Sequence, residues 1–90
     1  MKQYSADIQN NLIRIFQDNC LLTGEQYEEI SGMFINLEAD IQEETRYEDI
    51  EETVTKMFII FEFLFNTKAL TLLQYNEVCN LAGEMQEAGK

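Results

Sequence analysis

The side chains able to do chemistry in this sequence are carboxylates, two thiols and little else. Seventeen Asp and Glu residues stand against two cysteines, with no histidine and no tryptophan. Without histidine, a serine or cysteine nucleophile lacks its usual base, and the commonest metal ligand is gone. The Glu-x-x-His pattern of di-iron bundles cannot be written. Neither GxGxxG nor GxxxxGK[ST] occurs, so no recognisable phosphate cradle is present. Carboxylates do pair at one-turn spacing, as Glu48 with Glu52 and Glu25 with Glu29. Such pairs can divide acid and base roles or hold a divalent ion. A chain this rich in acids produces them by composition, and the calcium-loop pattern is missing. The expectation is a protein that is not an enzyme, with no catalytic residue, no cofactor and no bound metal.

The thiols are Cys20 and Cys79. Two cysteines without a CxxC do not make a disulfide scaffold, and reduced thiols are expected. The N-terminal residues Met1-Lys2-Gln3-Tyr4-Ser5-Ala6-Asp7 carry no apolar signal-peptide region. The longest nearly apolar run, Met57 to Phe65, is interrupted by Glu62. It is far short of the roughly 20 residues that span a bilayer. No membrane association and a cytoplasmic location are expected.

Charge is distributed unevenly. Six basic residues give a net charge of −11, which argues against direct contact with nucleic acid or anionic lipid. Residues 23–52 hold eleven of the acids against Arg46 alone. Glu25, Glu28, Glu48 and Asp49 fall in first turns of expected helices, where carboxylates complement the helix dipole. The rest could be a solvated face, although like charges at this density repel. The sharper reading is a docking face made of Glu38, Asp40, Glu43, Glu44, Glu48, Asp49, Glu51 and Glu52. Its partner would be a basic protein that handles nucleic acid, which this chain would inhibit or regulate as a phosphate-backbone mimic. In size, charge and helical class the chain is similar to small accessory proteins of phage and mobile elements and to bacterial immunity proteins. No motif carries a residue across from them.

A second surface competes for the contact. In the run Met57-Phe58-Ile59-Ile60-Phe61-Glu62-Phe63-Leu64-Phe65, the inward stripe is Met57, Phe58, Phe61, Leu64 and Phe65. Ile59 and Phe63 then point the other way, with Lys56. Either this helix is central and wrapped by the others, or Ile59, Ile60 and Phe63 form a self-association patch. The second case makes the chain a homodimer or assembly protein.

These residues must be held by helices. No proline and four glycines leave few breaks. Apolar residues recur at three and four in four stripes: Ile8, Leu12, Ile15, Phe16; Tyr27, Ile30, Phe34, Leu37, Ile41; Tyr47, Ile50, Val54, Met57, Phe61, Leu64; and Tyr75, Val78, Ala82, Met85. Capping boxes are predicted at Thr23 with Gln26, Thr45 with Glu48, and Thr71 with Gln74, and Ser5 is the expected cap of the first helix. Leu22 with Tyr27 and Leu70 with Tyr75 add hydrophobic staples. The spacing predicts helices at about 5–19, 24–42, 46–67 and 72–87, within one domain covering residues 1–90. Short turns favour antiparallel neighbours, hence an all-α, up-and-down four-helix bundle.

The chain also echoes itself. Leu22-Thr23-x-x-Gln26-Tyr27-x-Glu29-Ile30 returns 48 residues later as Leu70-Thr71-x-x-Gln74-Tyr75-x-Glu77-Val78. The same shift lays Leu12 on Ile60, Ile13 on Phe61 and Phe16 on Leu64. Two related helical hairpins would produce this, and so would a common capping solution used twice.

Overall fold

The computed structural model describes residues 5–17 and 21–89. Cys20 lies outside them. Four helices follow in order: α1 (Ser5–Ile15), α2 (Gly24–Gln42), α3 (Tyr47–Asn66) and α4 (Leu72–Ala88). Together they form a small all-α bundle whose core is assembled from the predicted stripes. Phe34, Leu37, Val54, Phe61, Val78 and Ala82 are fully buried, and the Phe34 and Phe61 rings stack at 5.8 Å between centroids.

Local chemistry explains the boundaries. Thr23 and Thr71 cap α2 and α4 with almost the same backbone angles, and both boxes are closed in both directions. The Gln74 amide does a second job. It is buried, and its Nε2 donates to the carbonyl of Ile15 at 3.4 Å, so the start of α4 holds the end of α1.

Two expected starts are corrected. Ser5 is already helical in α1, so it is not the cap, and the positions before it lie outside the described residues. Thr45 does not cap α3. Its amide donates to the Asp40 carbonyl, and the Glu44 amide donates to Ile41. Those two bonds make the Schellman close of α2, so Thr45 is used up ending one helix instead of starting the next. The N-cap of α3 is Arg46, with no side-chain capping bond. The end of α3 repeats this close through Ala69 to Leu64 and Lys68 to Phe65. Both closes put a residue other than glycine in the left-handed region, Glu44 at φ 57° and Lys68 at φ 69°. The first helix is also shorter than predicted, ending at Ile15 before a turn at Phe16.

The internal echo survives, in a different register. Between α2 and α4 the 48-residue shift pairs buried positions: Ile30 with Val78, Phe34 with Ala82, Leu37 with Met85. Between α1 and α3 that shift fails, since it lays exposed Ile13 on fully buried Phe61. A shift of 49 succeeds. It pairs Ile8 with Met57, Leu12 with Phe61, Ile15 with Leu64, and Phe16 with Phe65. Phe16 meets Tyr27 at 5.6 Å, as Phe65 meets Tyr75 at 5.0 Å, so the same two positions pair aromatics in each hairpin, edge-on at 81° in the first and stacked at 22° in the second. The connection in the first hairpin is therefore one residue longer. Packing follows the same symmetry: α2 and α4 meet across the middle, whereas α1 and α3 do not approach.

Candidate functional site

Up-and-down topology brings the end of α2 and the start of α3 to one end of the bundle. The last turn of α4 joins them, because Gly89 lies against the side chains of Ile41 and Ile50. Glu43, Glu44, Glu48, Asp49, Glu51 and Glu52 are exposed there, and Asp40 is half-buried. Glu87, on the last turn of α4, is carried to the same end and was not singled out in the sequence. Its distance along the chain hid it; only the closing of the bundle brings it near.

Glu38 does not belong to this face. It is 4% exposed and sits one turn after Phe34 on the inward side of α2. The 3.6-residue period, applied to Phe34 and Leu37, would have placed it inside. Its counterpart in the second hairpin, Gln86, is also polar and half-buried and donates to the Tyr47 hydroxyl at 3.1 Å.

Among the described residues, few cations temper the acidic end. Arg46 lies 3.5 Å from Glu48, and Lys56 reaches Glu52 at 3.2 Å one turn along α3. Both pairs are exposed, and such pairs contribute little. The dipoles divide the acids into two groups. Glu48 and Asp49 lie in the first turn of α3, where negative charge stabilises the helix. Glu43 and Glu44 lie at the closing end of α2, whose last turn has no basic residue. There the same charge opposes the dipole.

The apolar patch is exposed as well. Ile59 and Phe63 are 62% and 63% exposed, and Ile60 is half-buried. Helix α3 is therefore not wrapped by the others. With Gln26, Glu29, Ile30 and Leu64 these residues line an open groove of about 380 Å³ between α2 and α3.

Among the described residues, no group of three or more Cys, Asp or Glu side chains is arranged to hold a metal ion. No helix is long and apolar enough to cross a membrane. Cys79 is half-buried and packs on the core. Burial pushes its thiol above the ordinary range, against a smaller lowering from its hydrogen bond with Tyr75. Tyr75 is itself raised, first by the neighbouring thiolate charge of Cys79 and then by burial and Glu62. A thiol held protonated beside a phenol held protonated is poor in nucleophilic character. No known family model, curated protein or solved structure matches this chain.

Proposed function

We propose that the protein is an acidic interaction module whose α2–α3 end docks on the basic surface of a partner that handles nucleic acid, as an inhibitor or regulator. The carrying observation is the placement of Glu43 and Glu44. Stability alone favours cations at the closing end of α2, yet two acids stand there, continuous with Glu48, Asp49, Glu51 and Glu52 on α3. A charge arrangement that works against its own helix calls for a reason outside the helix. A basic groove shaped for phosphates supplies one. The phage or immunity-protein setting and a cytoplasmic location accord with this reading.

The competing reading is a homo-oligomer joined through Ile59, Ile60 and Phe63. Their exposure favours it, but two copies that each carry −11 would meet against repulsion, so it stands second. The test is capture from the native host with wild-type protein and with a variant carrying Gln at Glu43, Glu44, Glu48 and Glu51. A basic nucleic-acid-handling protein retained by the first and lost by the second supports the proposal. Capture of the same partners by both overturns it.

A further inference from the structure

The repeat supplies an internal comparison for the apolar groove. The 49- and 48-residue shifts that align the hairpins in register also align the residues of two grooves. In the one between α1 and α4, about 210 Å³, Asn11, Arg14, Ile15 and Glu77 hold the positions that Ile60, Phe63, Leu64 and Glu29 hold between α2 and α3. Both grooves have a buried aliphatic floor, Ile15 in one and Leu64 in the other. Their rims differ. Arg14 Nη1 reaches Glu77 Oε1 at 3.1 Å and bridges the first groove. In the second, the position of Arg14 is taken by exposed Phe63, and Glu29 has no ion pair among the described residues. The bundle can thus close this kind of groove with an internal cation, and at α2–α3 it does not.

We propose that the α2–α3 groove binds an amphipathic helix of another protein. Apolar side chains of that helix would pack on Ile59, Ile60 and Phe63, and one arginine or lysine would meet Glu29 where Arg14 meets Glu77. Ile59 and Phe63 stand one turn apart on α3, and Gln26 and Ile30 do so on α2, which matches the i, i+4 anchors of a helix lying between them. Charge complementarity decides the occupant. One carboxylate, Glu29, stands among the groove's lining residues with no lining cation, and the whole chain carries −11, so a basic helix is drawn to it while a second copy is repelled. This inference is independent of the acidic end, which lies at the other end of α2 and α3.

The variant Phe63→Arg separates binding from folding, since it rebuilds the Arg14–Glu77 bridge and should fold as well as wild type. The probe is a displayed library of helical peptides with Leu, Ile or Phe on one face and free choice elsewhere. Selection is run at about 0.5 M salt, where the Debye length of roughly 4 Å silences diffuse attraction. Enriched peptides should carry Arg or Lys beside the apolar face and weaken at least tenfold on Phe63→Arg. They should weaken on Glu29→Arg as well, with binding restored when the peptide cation is changed to Glu. Acidic or uncharged winners, binding indifferent to Phe63→Arg, or no enrichment would overturn the proposal. So would an unfolded Phe63→Arg, or a wild-type dimer that this variant dissolves.

Discussion

Replacing Glu44 with glycine should make the protein more stable, and by more than the same change at Lys68. Both residues occupy the left-handed position of a Schellman close. A side chain there costs about 1–2 kcal/mol, which glycine removes. Glycine returns about 0.5–1 kcal/mol through the freedom of the unfolded chain. The net backbone gain is then about 0.5–1 kcal/mol at either site. The dipole separates the two. Glu44 opposes the closing end of α2, whereas Lys68 complements the closing end of α3, each by about 0.3–1 kcal/mol. Glu44→Gly should therefore gain about 1–1.5 kcal/mol, and Lys68→Gly should fall close to zero. In a domain of this size the first is a rise of about 4–12 °C in Tm. Thermal unfolding followed by circular dichroism at low salt reads both, and added salt should narrow the gap. A destabilised Glu44→Gly, or an equal or larger gain at Lys68, would refute the reasoning about the acidic end.

Three further outcomes are expected. Gln74→Ala removes one arm of the α4 capping box and the buried bond to Ile15, and should cost about 2 kcal/mol in a urea titration, whereas Gln26→Ala, half-exposed, should cost less. Phe61→Asp places an uncompensated charge at the stacked centre of the core and should abolish cooperative unfolding; a folded variant by circular dichroism would show that centre to be misassigned. In a Cys20→Ser background, Cys79 should react with iodoacetamide at neutral pH more slowly than a free thiol. Its raised pKa lowers the thiolate fraction, and the rate should climb only well into the alkaline range; an equal or faster rate at pH 7 would show the thiol to be activated.

Much of the fold was legible because it is written in spacing. The stripes of α2, α3 and α4 predicted the inward side chains, and the boxes at Thr23 and Thr71 fixed where two helices begin. Thr45 misled because a Thr-x-x-Glu pattern looks the same whether the threonine opens one helix or closes the one before. Only the path of the backbone bonds distinguishes these. The repeat was visible where its residues are alike, and it slipped by one in α1 because the extra residue lies in the first connection. Of the expected acidic face, Asp40 to Glu52 came out at one end of the bundle, since charge there is local to one turn. Glu38 leaves the face because the stripe of Phe34 and Leu37 carries it inward. Of the groove beside Glu29, Ile59, Ile60 and Phe63 were legible as an apolar patch, but its wall from α2 was not, as that depends on packing across the folded bundle.

The most direct test of the acidic end is the association rate of the purified protein with its captured partner, measured across salt concentrations with and without the partner's nucleic acid. Steered encounter predicts an on-rate that falls by tenfold or more between about 0.05 and 0.5 M salt, while the off-rate changes little. Nucleic acid and this protein should exclude one another, because both require the same basic surface. An on-rate indifferent to salt, together with simultaneous binding of nucleic acid and this protein, would contradict the account.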